Sequence, residues 1–251
     1  MLADYIGHAF KNLKHKRLRS WLTMIGIFIG IAAVVALMGL GEGLRGAITQ
    51  QFGFIGPDVL SVQASGINFA GPPGQAVVNP LTDDISEKIE RITNVEAAIN
   101  RYIESGALEF NDKQEIVFAW NVPEGKDRNV FEEMINLKVQ NGRLLKEGDK
   151  FNVVVGHDFT KDDRFGKSVQ VGNTIFFKGV PFKVVGILAK KGSFIFDSAI
   201  IMNENVLVSE FRDDNSVNVI AVKVKDLKTI GNVKQNIEEL LRKERDVKKG
   251  G

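Results

Sequence analysis

The sequence predicts an α+β protein with a single transmembrane helix near its N-terminus. An apolar run of twenty residues, WLTMIGIFIGIAAVVALMGL, begins at Trp21 and holds no charged side chain, although 25% of the chain is charged. Two later portions each combine a β-rich run with an amphipathic helix, and a β-rich middle separates them. This order favours a split ferredoxin-like domain of the βαβ type with an inserted β-rich subdomain.

Residues 1–17 are predicted to form an amphipathic helix at the cytoplasmic interface of the membrane. Lysines gather toward the end of its polar side, and its apolar residues share one helical face: Leu2, Tyr5, Ile6, Ala9, Phe10 and Leu13. His8 and His15 are seven residues apart on this helix. Two ligands are too few for a metal site, so we expect both histidines to be solvated.

Residues 18–45 are predicted to form the transmembrane helix and its flanks. Twenty helical residues span roughly 30 Å, the thickness of the hydrocarbon core of a bilayer. A buried core helix is one alternative, but such a helix rarely stays uncharged for this length directly after a basic cluster. A cleaved signal peptide is another, because Gly41 and Gly43 form a small-x-small pair. Its apolar region would exceed the usual ~7–15 residues, so we expect an uncleaved anchor.

The charges on either side of the span predict its orientation. Glu42 and Arg45 cancel after the span, whereas the first twenty residues hold Asp4 and five basic residues: Lys11, Lys14, Lys16, Arg17 and Arg19. By the positive-inside rule the N-terminus is cytoplasmic, and the chain after about residue 41 is extracytoplasmic. The predicted anchors at the inner membrane interface are Lys14, Lys16, Arg17, Arg19 and Trp21.

A GxxxG match within the span predicts a packing position. Gly26 and Gly30 are four residues apart and so share one face of the helix, where a second helix backbone can approach closely. The motif is short and common, and two glycines tolerated without a partner are an equally good interpretation.

Residues 57–241 are predicted to form the extracytoplasmic α+β domain with two subdomains. Its first part reads as a strand at Asp58–Gln63, an exposed Pro- and Gly-rich loop at Gly66–Pro80, a helix capped by Thr82, and a strand from Val95. The β-rich runs Ala107–Phe110 and Glu115–Trp120 follow as a hairpin.

The second part of the domain is predicted to return to the βα pattern. Further strands are expected at Asn152–Gly156, in a three-piece antiparallel meander at Val169–Leu188, at Ser198–Met202 and at Val217–Lys225. An amphipathic helix then follows with one buried face: Ile230, Val233, Ile237, Leu240 and Leu241. Since the first strand and the last helix would each connect to the membrane, Val59 and Leu240 should belong to the same subdomain. Residues 242–251 are predicted to be a polar tail.

Enzymatic chemistry is not indicated by the sequence. The absence of cysteine excludes disulfides, thiolate catalysis and cysteine-type zinc sites. Gly166-Lys167-Ser168 resembles the end of a phosphate-binding loop, but Lys161 stands where that motif needs its first glycine. His157-Asp158 has no accompanying GxSxG serine, so a loop histidine is the better interpretation. We expect no enzyme activity, no cofactor and no metal.

The sequence also does not predict binding to nucleic acid. Beyond residue 20 there is no basic stripe with interleaved aromatic residues, which is the pattern that nucleic-acid binding requires.

Two segments resemble a known family. LRSWLTMIGIFIGIAAVVALMGLGEG (Leu18–Gly43) is similar to the first transmembrane helix of MacB-type (FtsX-like) ABC transporter permeases, with its LTMxGIxIG start and GEG ending. NGRLLKEGDKFNVVVGHDFTKDDRFGKSVQVGNTIFFKGVPFKVVGIL (Asn141–Leu188) is similar to their extracytoplasmic domain, through NGR, VVVG, FG and FKVVGIL in that order.

The resemblance implies a permease component that dimerises and couples ATP hydrolysis by a separate cytoplasmic ATPase subunit to movement of its extracytoplasmic domain, in export or envelope signalling. This coupling is called mechanotransmission. Family members carry three further spans, which this sequence does not contain, so an incomplete permease is expected. The alternative is a single-pass, membrane-anchored extracytoplasmic binding or scaffold domain without transport activity. The expected partners are membrane lipid, the ATPase subunit and a second copy of the chain as a homodimer.

Overall fold

The structure is a computed structural model that describes residues 17–52, 56–64, 72 and 79–245. The predicted interfacial helix before Arg17, most of the loop at 66–80 and the end of the tail at 246–251 lie outside the described residues. The chain divides into two units, residues 1–50 and residues 51–251, and each is described by itself.

The first described element is a single long helix, α1 (Arg17–Phe52). It contains the whole predicted span and continues past the expected end at residue 45. Between Arg19 and Glu42 it carries no charged side chain, and its large apolar side chains are exposed, with Phe28 exposed by 77% and Met38 by 70%.

The described part of the second unit contains twelve strands, six α-helices and two short 3-10 helices at His157–Thr160 and Leu227–Thr229. The strands are β1 (Val59–Gln63), β2 (Leu81–Thr82), β3 (Val95–Arg101), β4 (Ile103–Phe110), β5 (Lys113–Val122), β6 (Val139–Gly142), β7 (Asn152–Val155), β8 (Thr174–Phe177), β9 (Val180–Leu188), β10 (Ile200–Asn203), β11 (Ser216–Val217) and β12 (Val219–Val224). The helices are α2 (Asp83–Glu90), α3 (Lys126–Met134), α4 (Asp162–Phe165), α5 (Phe194–Asp197), α6 (Glu204–Phe211) and α7 (Ile230–Arg245).

The small sheet has the strand order β1-β12-β3. β12 is antiparallel to both of its neighbours, so β1 and β3 run parallel to each other on either side of it. α2 connects these two parallel strands, which makes a βαβ unit split by β12. The predicted split ferredoxin-like plan is therefore confirmed.

The β-rich insertion is a closed barrel. Six strands pair in the circular order β4-β5-β10-β7-β9-β8, and β8 returns to β4. β9 pairs with β7 along one edge, while its other edge is shared between β8 and β6. Closure satisfies the backbone groups that an open sheet of this size would leave at its edges. The barrel strands lie in the sequence between β3 and β12, as an insertion requires.

Local turn chemistry explains two differences from the predicted elements. The hairpin loop is two residues rather than four, because Asn111 and Asp112 both adopt positive φ values of 52° and 56° and reverse the chain between Phe110 and Lys113. The predicted three-piece meander contains only the hairpin of β8 and β9; the segment at Val169 is not a strand. Val169 is nevertheless fully buried and its N–H donates to the Phe159 carbonyl.

Two hydrophobic cores hold the domain together. The first fills the barrel and continues onto the face of the small sheet that α2 and α7 cover, where Ile85, Ile89, Val233 and Ile237 are buried. The second packs α3 between the opposite face of the small sheet and the outer side of the barrel, through Phe131 and its neighbours. Alternate strand residues therefore face different cores, as the period of a strand demands.

The first strand and the last helix share the first of these cores. Leu60 of β1 and Leu240 of α7 both pack against it, whereas Val59 faces the second core from the same strand. Both elements thus belong to the small sheet and its helices. α7 continues to Arg245, so that residues 242–245 of the predicted tail are helical.

Two glycines in the barrel allow close backbone contacts, and substituting them should destabilise the domain. A Cβ at Gly156 would overlap the Asp197 carbonyl, and one at Gly186 would overlap the Arg143 carbonyl. We expect Gly156→Ala and Gly186→Ala each to lower the free energy of unfolding by about 1–3 kcal/mol.

Gly231→Ala is the matched control for these variants. Its Cβ would meet no atom within 4 Å and it lies in α7, so we expect a change within about 1 kcal/mol, toward greater stability. Denaturant unfolding of the detergent-solubilised chain, followed by circular dichroism, measures all three. Equal losses in the three variants would contradict the close contacts.

Candidate functional site

The apolar helix is the first candidate functional element. Over Arg19–Gly46 it is long and apolar enough to cross a bilayer, with a mean hydropathy of 2.5 in its most apolar window and none of that window buried. A water-soluble core helix would bury one face, so this helix is not part of a described hydrophobic core. Its exposed apolar surface matches the hydrocarbon interior of a membrane.

The predicted packing and anchor residues lie on this helix or before it. A Cβ added at Gly26 or Gly30 would meet nothing within 4 Å, so the space beside both glycines is open in the described chain. Arg19 and Trp21 are exposed in the first turns of the helix. The side chain of Arg17 and all of Lys14 and Lys16 lie outside the described residues.

The junction between the small sheet and the barrel is the second candidate. β3 ends at Arg101 and β4 begins at Ile103, so that only Tyr102 separates two strands of different sheets. A strand that leaves one sheet for another loses its ladder partners, and buried peptide groups without partners are costly. Two buried asparagine side chains replace those partners.

Asn121 and Asn218 provide the replacement hydrogen bonds. The Tyr102 N–H donates to Asn121 Oδ1 at 3.0 Å, and the Ile103 N–H donates to Asn218 Oδ1 at 2.9 Å. Asn121 Nδ2 donates to the Asn100 carbonyl at 3.1 Å and to the Glu204 carboxylate at 2.7 Å. The two asparagines are 0% and 2% exposed, so these bonds form away from water.

A largely buried ion-pair network joins the same junction to the neighbouring barrel strand β8. Arg212 donates to Glu104 at 3.1 Å, to Asn218 Oδ1 at 2.8 Å and to the Ser216 carbonyl at 2.6 Å. Glu104 also accepts a hydrogen bond from Lys178 at 2.8 Å. The network thereby ties β4, the β8–β9 turn, the end of α6 and β11 to one carboxylate.

Burial shifts the pKa values of two charged groups at the junction. Burial lowers the pKa of the Arg101 guanidinium to about 9, and the attraction of Glu204 opposes this shift. The guanidinium carbon lies 3.8 Å from the centroid of the Phe131 ring. Burial also raises the pKa of the Glu204 carboxyl, against the hydrogen bond from Asn121. Arg101 therefore remains charged at neutral pH in a dry, aromatic setting.

None of the junction residues was singled out by the sequence analysis. The available signal was Asn121, a polar residue close to the end of the apolar run Ile116–Val122, where a strand interior would carry another apolar side chain. The partners Asn218 and Arg212 have no comparable local signal, because their role depends on contacts with β4, about a hundred residues earlier in the chain.

The polar motifs considered in the sequence have structural contacts. His157 Nδ1 lies 2.9 Å from Gln140 Oε1, while the neighbouring Asp158 accepts a hydrogen bond from Ser198 and pairs with Lys161. Gly166 follows the short helix α4 with a φ of 69° and ends it in the left-handed conformation. Gly166-Lys167-Ser168 is thus a helix stop rather than a phosphate-binding loop.

A bidentate ion pair between Arg143 and Asp149 predicts a loss of stability in acid. The guanidinium donates to both carboxylate oxygens, at 2.7 and 3.2 Å, and holds the pKa of Asp149 at about 2, below its ordinary 3.8. A lowered carboxyl pKa adds stability above the unfolded-state value, and this stability is lost as the pH falls through the folded-state value.

We therefore expect the stability difference between the native chain and Asp149→Asn to shrink as the pH falls from about 4 to 2. Thermal unfolding at several pH values measures this difference. The control is Asp149→Asn in an Arg143→Gln background, where the guanidinium is absent and the stability difference should depend less on pH. A difference that is independent of pH for Asp149 would contradict the ion pair.

An uncharged helix of membrane-spanning length, followed by a split βαβ sheet with an inserted barrel, defines a membrane-anchored α+β protein. A family profile, the MacB-like periplasmic core domain, matches residues 20–240. The chain belongs to this family, and its predicted relationship to MacB-type ABC transporter permeases is confirmed. It is a membrane protein whose larger unit is extracytoplasmic.

Relatives and solved structures agree with this assignment. An uncharacterized ABC transporter permease of Methanocaldococcus jannaschii is 30% identical, with 96% of this chain and 58% of that protein covered. The macrolide export ATP-binding/permease protein MacB of Neisseria gonorrhoeae is 29% identical, with 92% and 35% covered. The chain therefore spans about a third to just over half of these relatives.

The periplasmic region of MacB from Actinobacillus actinomycetemcomitans has a similar fold. The TM-score is 0.57 at 17% sequence identity, with 78% of this chain and 87% of that chain covered. This similarity supports the fold alone.

Proposed function

We propose that this chain is the permease component, or part of the permease, of a MacB-like ABC transport system. It would couple ATP hydrolysis by a separate cytoplasmic ATPase subunit to movement of its extracytoplasmic domain, in export or envelope signalling. The observation that carries the proposal is the exposed helix α1, uncharged between Arg19 and Glu42, joined to a MacB-like domain. Catalysis is assigned to the ATPase, and no enzymatic role is assigned to this chain.

The proposal places the N-terminus in the cytoplasm. The excess of basic residues before α1 supports this orientation, and Arg19 and Trp21 are exposed where an inner-interface anchor is required. Lys14, Lys16 and Arg17 complete the proposed anchor. Membrane lipid is thus the first proposed partner.

A homodimer through α1 is the second proposed contact, and it predicts a position-specific effect. Gly26 and Gly30 share one helical face with open space beside it, so two backbones can approach there. We expect Gly30→Leu to weaken association of the helices in lipid about tenfold, as measured by energy transfer between labelled chains in vesicles.

Gly39→Leu is the matched control for the helix dimer. At 100° per residue, Gly39 lies on the side of α1 opposite to Gly30, and the space beside it is equally open. We expect its effect to be less than twofold. If the two variants weaken association equally, the proposed face is not the dimer contact.

Copurification tests the proposed coupling. The tagged chain, produced in its native host and extracted in mild detergent, should copurify with an ABC-type ATPase, and ATP with vanadate should change the protease sensitivity of the extracytoplasmic domain. A native product of 251 residues without an ATPase partner would overturn the proposal and favour a membrane-anchored binding or scaffold domain.

A further inference from the structure

The small sheet has an open edge at β3. Its strand order places β3 at the end, beyond β12, and no other described strand pairs with its outer side. The barrel closes on itself and exposes no comparable edge in its six-stranded ring. An open edge presents N–H and C=O groups to which an extended chain can add as a further strand.

The register identifies which peptide groups face outward. All four residues from Ala98 to Arg101 have partners on β12, so the hydrogen bonds decide which peptide groups face it. The Val224 N–H donates to the Asp58 carbonyl beside β1, and the Asn218 N–H donates to the Arg101 carbonyl. Since successive residues direct their peptide groups to opposite edges, Val222 and Ile220 direct theirs toward β1, and their partners Ala98 and Asn100 direct theirs away from β12. Ala98 and Asn100 therefore present their N–H and C=O groups to the open side. Asn121 already shows this preference, since its side-chain amide donates to the Asn100 carbonyl from outside the sheet at 3.1 Å.

A cleft of about 590 Å³ lies along this edge. α2 borders it on one face of the sheet, through Glu90 among others, and the start of α3 borders it on the other. Ala98, which is 9% exposed, and Asn100 also line it. No described strand pairs with this edge, although the Asn121 side chain already bonds the Asn100 carbonyl at one end of it, and the two helices form walls for an incoming strand.

The charges of the cleft select one kind of strand. Two of its carboxylates already have cationic partners, because Glu90 pairs with Lys126 at 2.9 Å and Glu87 with Arg91 at 3.9 Å. Three more, Glu124, Asp127 and Glu204, line the cleft without an ion-pair partner in the described part of the chain. A second copy of the same cleft would bring like charges together, so pairing of β3 with β3 is disfavoured.

A cationic side chain would also relieve the cost of burying these groups. Burial raises the pKa values of Glu204 and Asp127, which means that their charged forms lack full solvation. A lysine or arginine beside them would restore a partner for the charge. The cleft therefore combines two features. Its backbone groups can pair with any strand, and its carboxylates favour a strand that carries lysine or arginine.

We propose that the open edge of β3 binds an extended, lysine- or arginine-bearing segment of another protein, which adds to the small sheet as a fourth strand. This inference goes beyond the proposed transport role and does not depend on an ATPase. Backbone pairing with Ala98 and with the Asn100 N–H would give affinity, because the Asn100 carbonyl already accepts from Asn121. Glu124, Asp127 and Glu204 would give the preference for basic side chains.

The test uses the full chain in lipid nanodiscs and a labelled short peptide of alternating lysine and valine. Fluorescence anisotropy should show saturable binding, and a peptide with glutamate in place of lysine should bind at least about tenfold more weakly. Hydrogen exchange at the amides of Ala98 and Asn100 should slow when the lysine peptide is bound, because those two amides acquire partners.

Two further comparisons separate strand addition from simple charge attraction. Peptides methylated at one or the other set of alternate peptide nitrogens should differ, with one set binding at least about tenfold more weakly. Glu124→Gln with Glu204→Gln should weaken binding to a similar extent, since glutamine keeps the size and an acceptor for Asn121. Glu109→Gln with Asp112→Asn on the barrel hairpin changes the same charge and should have no effect.

Several results would overturn the inference. They are an absence of saturable binding up to millimolar peptide, equal binding of the lysine and glutamate peptides, equal effects of the two carboxamide pairs, or binding that neither methylation pattern changes. Failure of the ATPase to copurify would leave these peptide measurements unaffected, so the two proposals fail separately.

Discussion

Asn121→Ala is expected to lower the free energy of unfolding of the extracytoplasmic domain by about 3–5 kcal/mol. The substitution removes one buried side chain that serves the Tyr102 N–H, the Asn100 carbonyl and the Glu204 carboxylate. The Tyr102 N–H would stay buried without a partner, and the partly buried Asn100 carbonyl and Glu204 carboxylate would lose theirs, at a cost of about 1–3 kcal/mol apiece that entry of water from the cleft reduces. Denaturant unfolding of the solubilised chain measures the change.

Asn205→Ala provides the comparison for this variant. Asn205 is exposed, and within the described residues its side chain bonds the half-buried Glu124, so its loss should change stability by no more than about 0.5 kcal/mol. If Asn121→Ala lowered the free energy of unfolding no more than Asn205→Ala does, the stability of the junction would not depend on the hydrogen bonds that Asn121 provides in place of strand pairing. Hydrogen exchange would localise the effect, because the Tyr102 amide should exchange faster.

Ile31→Arg is expected to reduce membrane insertion of α1 by roughly a hundredfold in the ratio of inserted to non-inserted chains. Ile31 is 61% exposed near the middle of Arg19–Gly46, where an arginine costs about 2.5–3.5 kcal/mol and isoleucine is favourable. Glycosylation of an acceptor site placed in the extracytoplasmic domain, during translation with microsomes, measures this ratio.

Leu44→Arg tests whether depth in the membrane controls the result. Leu44 is 60% exposed but lies near the end of the same segment, where a long side chain reaches the interface. We expect a change of less than about fivefold. Equal effects at the two positions would show that α1 does not cross the bilayer with Ile31 near its centre and Leu44 near its surface.

The apolar helix and the split sheet were predictable because their signals are local. Twenty uncharged residues need no tertiary information, and the amphipathic faces of α2 and α7 repeat within one segment. The positions of β1, β3 and β12 follow from β-rich runs next to those helices. Their pairing order could be proposed because few topologies join two βα units in one sheet.

The barrel and α3 were less predictable for two different reasons. α3 begins after Gly125, whose φ is 67°, and the helix has no side-chain cap, so KDRNVFEEM carries little start signal. Closure of the barrel depends on contacts between β8 and β4, which are separated by about seventy residues in the chain. Val169 shows the converse error, since a buried β-branched residue predicts a strand although this residue lies in an irregular segment.

The junction could be predicted least of all. Asparagine in a strand is ordinarily evidence for a break, and Asn121 becomes informative only when Tyr102 is placed opposite it. The open edge of β3 has the same dependence, because an edge is defined by the strand that is absent beside it. Sequence patterns report which face is buried; they do not report where a sheet stops.

The insertion of the barrel between β3 and β12 determines how tension would travel through this domain. β1 and α7, the two elements nearest the ends of the domain, both belong to the small sheet, so a pull applied between them loads β1 and β12 directly. The barrel is not part of the segment that bears this force, so it should stay folded until β1 and β12 separate. A single-molecule extension trace should therefore show two steps. The first is a short gain in length when β1 and β12 separate, and the second is a longer gain when the barrel unfolds.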